Sequence, residues 1–324
     1  MKKAAITGIG RYLPENVVTN DMFAKIIDTS DEWITSRTGI KERRISVSEN
    51  NSVLALNAAK AALQNASVSA EEIDLIIVAT MTPDAYFPST AALVQGQLGA
   101  KNATAFDISA ACSGFVFALN TATQMIRTGQ HKKALVIGSE MVSKLLDWKD
   151  RSTCVLFGDG AGAVVLESAD EDGVIYSVTG TDGSRPELLL SWALPISNPF
   201  GEREEKSRFI QMDGREVFKF ATRVIPEIID NILATNNLTI NDIAHIVPHQ
   251  ANYRIIESAA ERFNISTDRF YMNLDKCGNT SAASIPIALA EMSDKGLLKK
   301  GEYIIIAGFG GGLTWGGSLI RWTK

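Results

Sequence analysis

The chain has 324 residues, 45% of them hydrophobic and 21% charged, with a formal net charge of −5. That is ample apolar material for one large domain or two fused halves, and too acidic a balance for an ordinary nucleic-acid binder. No apolar run reaches the roughly 20 residues of a membrane span, and the opening "MKKAAITGIGRYLP" lacks the apolar core of a signal peptide. The three cysteines, Cys112, Cys154 and Cys277, are odd in number and widely spaced, with no CxxC and no Cys/His pair at metal-ligand spacing. The expectation is a soluble protein of a reducing cytoplasm, with no disulfide framework, metal centre, nucleic acid or membrane partner.

In chain order, strand-type runs are predicted at "AAITGIG", "DLIIVAT", "KALVIGSE" and "GAVVLE", then at "HIVPHQ", "YIIIAGFG" and "GSLIRW". Helical stretches lie between several of them. Leu54, Ala58, Ala61 and Ala62 share one helical face, as do Phe115, Leu119, Ala122 and Ile126 in a helix ending at Gly129. Apolar strands alternating with helices predict an α/β fold whose sheets are buried on both faces.

The order of parts recurs. "EEIDLIIVAT", a helix after Cys112, "KKALVIGSE" and "GDGAGAVVLE" are answered by "NDIAHIVPHQ", "GNTSAASIPIALAEM", "GEYIIIAGFG" and "GGLTWGGSLIRW". Ile73 then pairs with Ile243, Gly129 with Gly296 and Gly138 with Gly308, at offsets of about 170 residues. This predicts a duplication, with halves at 1–170 and 171–324. The stretch 191–208, "SWALPISNPFGEREEKSR", reads as a surface loop or linker between them.

Three polar residues occupy notable places. Cys112, in "DISAACSGFVFAL", directly precedes a predicted helix. It is either a small core residue or a nucleophile whose thiol pKa is lowered at a helix N-terminus. His249 ends a strand-like run closed by Pro248, where ligands bind in open α/β sheets. Of the other two histidines, His131 in "GQHKK" reads as solvated and His245 as a satisfied mid-strand group. Asn279, in "KCGNTSAAS", is expected to hold the place in the second half that Cys112 holds in the first, or to be a plain helix cap. Pro286 predicts a kink or late start of the following helix. The small residues at 281–284 predict close packing, against the Cys112 helix. "GFGGGLTWGG" is a tight turn, or a place where backbone N–H groups approach a reacting atom; it fits no phosphate loop.

Taken together, "DTSDEWITSRTGI", "DISAACSGFVFAL", "LFGDGAGA", "HQAN", "GNTSAASIP" and "GFGGGLTWG" resemble thiolase-superfamily condensing enzymes, most closely the β-ketoacyl-acyl-carrier-protein synthase III family. The resemblance spans nearly the whole chain. It implies a thiolase-like fold of two duplicated α/β halves in a layered α-β-α-β-α sandwich. It implies an acyltransferase of fatty-acid synthesis with Cys112, His249 and Asn279 as catalytic triad. The N–H groups of Cys112 and Gly311 would form the oxyanion hole. Elongating synthases use a second histidine where Asn279 stands, and thiolases a second cysteine in the C-terminal glycine-rich loop; Cys277 lies elsewhere.

The substrates implied are an acyl-CoA, which acylates Cys112, and malonyl-acyl-carrier protein, whose decarboxylation drives condensation without a metal or prosthetic group. Trp33, Arg37 and Arg151 match CoA contacts. Lys219, Gln250 and Arg254 match carrier-protein contacts. Phe87 matches a residue reaching into the partner's acyl pocket in a homodimer. The 191–208 stretch looks longer than in some relatives. The alternatives are a related condensing enzyme of polyketide or quinolone-type synthesis, and a non-catalytic protein retaining the fold.

Overall fold

A computed structural model describes residues 2–201 and 205–324. The first half runs β1 (Lys3–Tyr12), α1 (Asp31–Thr38), α2 (Asn51–Ala66), β2 (Leu75–Ala79), α3 (Thr90–Leu98), β3 (Thr104–Ile108), α4 (Gly114–Arg127), β4 (Lys133–Met141) and β5 (Asp159–Ala169). The second runs β6 (Val174–Thr181), α5 (Gly214–Thr235), β7 (Ile243–Pro248), α6 (Tyr253–Phe263), α7 (Ser284–Asp294), β8 (Tyr303–Gly310) and β9 (Thr314–Arg321). The first sheet has the order β1-β5-β4-β2-β3 and the second β6-β9-β8-β7. The senses match as well: β2 lies parallel to β4 as β7 does to β8, and β4 antiparallel to β5 as β8 does to β9. A fifth strand is reduced in the second sheet to a single parallel bridge, Ile246 to Phe270, where the first has β3.

The continuous apolar runs follow from burial on both sheet faces. Leu75, Ile77 and Ala79 of β2 face one cluster, while Ile76 and Val78 face another. The first cluster lies between the sheets and contains α4 and α7, with Phe115, Leu119, Ile285 and Leu289. Helices α2 and α3 cover the outer face of the first sheet, and α5 and α6 that of the second. Five layers, α-β-α-β-α, result. Every residue of α7 from Ser284 to Met292 is buried, as its lack of a polar face requires.

Helix α4 ends at Gly129 and α7 at Gly296, both in the left-handed conformation that glycine adopts without steric cost. Helix α7 starts only at Ser284, with Pro286 in its first turn, so the expected late start is found.

Two expectations are corrected here. The 191–208 stretch does not separate the halves. It lies inside the second, between two short paired strands, Leu189–Leu190 and Gln211–Met212. Residues 202–204 within it are outside the described residues. His131 is not solvated: the turn before β4 folds it against Asp74, Nδ1 to Oδ1 3.4 Å, where Asp74 also accepts the backbone N–H groups of Lys132 and Lys133.

Candidate active site

One cavity of about 1390 Å³ opens between the halves at the C-terminal ends of the parallel strands, and Cys112, His249 and Asn279 all line it. They come from three different segments. Cys112 lies in a one-turn 3-10 helix, Ala111–Ser113, leading into α4. His249 directly follows β7, its N–H donating to Ala307 O at 2.7 Å. Asn279 precedes a second 3-10 turn, Ser281–Ala283, leading into α7.

The turns correspond. Ala111 and Ser281, 170 residues apart, are both non-glycine residues with positive φ, 45° and 49°. Such strained residues concentrate at functional sites. The equivalence corrects the sequence alignment: Cys112 is matched by Ala282, and Asn279 stands three residues upstream of that place. Small residues let the turns pack together, as expected. A Cβ on Gly138 of β4 would collide with the Ala282 carbonyl, and one on Gly308 of β8 would lie 3.0 Å from Ser113 Cα.

Ser281 organises the site. Its N–H donates to Asn279 Oδ1 at 2.9 Å, which fixes the amide and leaves the NH₂ of Asn279 free to donate elsewhere. Its carbonyl accepts the Ser284 hydroxyl at 2.9 Å, and Ser284 Oγ stands 2.7 Å from His249 Nδ1. The single Ser284 proton can serve Ser281 O or Nδ1; given to Nδ1, it places the imidazole proton on Nε2. The Phe309 ring packs edge-on against His249 at 5.0 Å.

Burial dominates the ionisation of these groups. Cys112 is 4% exposed, and burial pushes its thiol up to about 12, against the pull of Ser281 and with a further push from the Glu140 charge. The expected lowering at a helix N-terminus is therefore overturned: desolvation outweighs the helix end. His249, 1% exposed, is driven down to about 3 by burial and stays neutral at physiological pH. Cys154 and Cys277 are buried free thiols, and half-buried His245 meets Leu297 O through Nε2, as the sequence suggested.

Beside Cys112, Gly310 is the residue that permits close approach. A Cβ there would stand 2.7 Å from the Cys112 nitrogen, so only glycine lets β8 pass. Gly311 follows and lines the cavity. At the mouth, Arg37 and Arg151 place their guanidinium carbons 4.7 and 5.1 Å from the Trp33 ring centroid. The three residues expected to meet CoA thus form one stack on α1 and the loop before β5. Trp192 and Leu194 of the 191–208 stretch line the same cavity. Phe87 is 86% exposed.

Of the expected carrier-protein contacts, Lys219 is exposed on α5 and paired with Glu216, and Arg254 on α6 donates to Ser36 O at 3.0 Å. Gln250 is not available for docking. It is 1% exposed, donates to Tyr271 O and accepts from Asn273 N, so it ties β7 to the chain behind it.

Sequence reasoning missed Glu140, the fully buried last acid of β4. Its carboxylate accepts from Thr82 Oγ1 at 2.6 Å, Thr80 Oγ1 at 3.2 Å, Ser281 Oγ at 3.1 Å and the Met81 N–H. The available signal was the repeat: Glu140 falls where Gly310 falls in the second half, 170 residues on. Among the described residues, no group of three or more His, Cys, Asp or Glu is placed to hold a metal ion, and no helix is long and apolar enough to cross a membrane.

Residues 106–183 match the family described as 3-oxoacyl-[acyl-carrier-protein] synthase III, and residues 233–322 its C-terminal part. A β-ketoacyl-[acyl-carrier-protein] synthase III of Clostridium acetobutylicum is 55% identical, covering 100% of both chains. The crystal structure of the Aquifex aeolicus 3-oxoacyl-[acyl-carrier-protein] synthase III is 49% identical with a TM-score of 0.93, covering 98% of this chain and 100% of that one. A priming β-ketosynthase of the R1128 polyketide pathway also reaches a TM-score of 0.93, at 35% identity and covering 100% and 97%. With a duplicated thiolase-like fold and whole-length identity of this order, the chain belongs to the 3-oxoacyl-[acyl-carrier-protein] synthase III family.

Proposed function

We propose that this condensing acyltransferase joins the acyl group of an acyl-CoA, acetyl or short branched, to malonyl-acyl-carrier protein with loss of carbon dioxide, the initiating step of fatty-acid synthesis. The observation that carries the reading is the convergence of Cys112, His249 and Asn279 from three segments on one cavity with the Trp33 stack at its mouth. Cys112 attacks the thioester carbonyl, the N–H groups of Cys112 and Gly311 hold the tetrahedral oxyanion, and CoA leaves an acyl-enzyme.

Malonyl-carrier protein then loses carbon dioxide. The enolate oxygen requires hydrogen-bond donors, and the Asn279 NH₂ and the neutral His249 Nε2–H suit it. The Nε2–H tautomer is the one in which Ser284 gives its proton to Nδ1 rather than to Ser281 O. The carbanion attacks acyl-Cys112 to give a β-ketoacyl thioester. Decarboxylation drives bond formation, so the step draws on no metal or prosthetic group. Trp33, Arg37 and Arg151 receive the nucleotide end of CoA. Lys219 and Arg254 attract the acidic carrier protein. Exposed Phe87 enters the partner's acyl pocket in a cytoplasmic homodimer. The polyketide alternative is disfavoured by identities of 55% and 49% to fatty-acid-type synthases against 35% to the polyketide one.

Intact-protein mass after mixing with acyl-CoAs tests the reading. One acyl group is expected on the wild type, none on Cys112→Ser, and transfer to malonyl-carrier protein should follow. An equal adduct on Cys112→Ser, or none on the wild type with any acyl-CoA, overturns it.

A further inference from the structure

The proposed chemistry leaves one problem. A thiol held near 12 is protonated at neutral pH and must lose its proton as it attacks. His249 has its basicity lowered by burial, which makes it a poor acceptor for that proton. Beside the Cys112 turn, Glu140 is a buried titratable group that the mechanism does not use.

Its position is built in by the duplication. The end of β8 passes against the Cys112 turn at Gly310, and the end of β4 passes against the equivalent Ser281 turn at Glu140. Ser281 Oγ stands 3.1 Å from Glu140 Oε1 and also acts on Cys112, favouring its ionised form. The other groups facing Glu140 are Thr80, the Met81 N–H and Thr82 from the end of β2. All of these donate, as Ser281 Oγ does, and Ser281 is the hydroxyl among them that also acts on Cys112. Cys112 is the titratable group facing it, and His249 touches Ser281 only through the backbone. No charged side chain among those acting on Glu140 opposes its burial.

We propose that Glu140 holds the Cys112 proton during acyl transfer, with Ser281 as the relay. The proposal rests on Cys112 being the nucleophile. As sulfur attacks, its S–H bond breaks and the proton passes to Ser281 Oγ, whose own proton passes to Glu140 Oε1. The sulfur electron pair forms the new S–C bond and the carbonyl π pair moves to oxygen. On collapse the bond to the leaving sulfur breaks, the carbonyl re-forms, and the proton returns through Ser281 to the departing thiolate. Burial places Glu140 near 7, so both of its forms exist at physiological pH. Glu140 acts through another side chain and is a positioning residue.

The test follows carbamidomethylation of Cys112 by iodoacetamide, read by peptide mass, alongside acyl-enzyme formation, from pH 5.5 to 9. Both wild-type rates are expected to climb through the titration of Glu140. Glu140→Gln and Ser281→Ala should lose that climb and react about 10²-fold more slowly at pH 8, as loss of a positioned base predicts. Glu140→Asp should restore part of it. Equal or faster alkylation in folded Glu140→Gln overturns the proposal, because removing only a repelling charge would speed the thiol.

If Glu140→Gln does not fold, Ser281→Ala decides by the same outcomes. Alanine already occupies the equivalent strained position at Ala111. Iodoacetamide needs no acyl-CoA. A normal alkylation profile without acyl transfer would therefore overturn the acyltransferase reading while leaving the relay standing.

Discussion

The backbone N–H of Ser281 holds the Asn279 side-chain oxygen at 2.9 Å. The amide is thereby oriented before any substrate enters, with its NH₂ the group left to meet developing negative charge. Preorganised donors of this kind contribute about 10²–10³ in rate each. Asn279→Ala is expected to lower malonyl decarboxylation and condensation by that factor while leaving the acyl-enzyme burst intact. Rapid-quench measurement of the two half-reactions checks this; equal loss in both would assign Asn279 a structural role.

The Trp33 stack should act on binding rather than on chemistry. Stacking of a base on an aromatic ring contributes about 1–3 kcal/mol. Trp33→Ala is therefore expected to raise KM for acyl-CoA about tenfold or more with kcat little changed. An acyl-pantetheine thioester, which lacks the nucleotide, should show no difference between the two proteins. Steady-state kinetics with both substrates measures the split.

Two groups at the site make opposed contributions to the pH dependence of stability. His249 has a native pKa of about 3 against an ordinary 6.5, so between those values the unfolded chain binds a proton the native chain does not. Its contribution is complete above 6.5 and is lost as pH falls. Glu140, raised from 4.5 to about 7, works the other way: the native chain binds the extra proton, and that contribution fades as pH rises through 7. His249→Gln is expected to flatten the acid limb of the urea midpoint between pH 4 and 6.5. An unchanged limb would contradict the burial of a neutral ring.

Much of the fold was legible because both halves repeat the same apolar runs, and runs such as Leu75–Ala79 have a use only when both faces are covered. Cys112 and His249 were legible from their places at element ends. Asn279 was found as a candidate but set against the wrong counterpart. Nothing in "GNTSAAS" reveals that Ser281 adopts the left-handed backbone of Ala111, and that conformation sets the true alignment. Gln250 and His131 read as surface polar groups because burial of a polar side chain depends on partners distant in sequence, Tyr271 and Asn273 for one and Asp74 for the other. Glu140 was invisible for the same reason: its hydroxyl and amide donors lie in two other segments.

The reciprocal seating of Gly138 under Ala282 and of Gly308 against Ser113 makes each half the mould for the other's reactive turn. A fragment ending near residue 170 would carry the nucleophile with nothing to shape its backbone, and its complement would carry the imidazole and the amide with the same defect. Mixed in solution, the two pieces should recover activity only by docking across that seam, so reassociation and reappearance of the working thiol would be a single event.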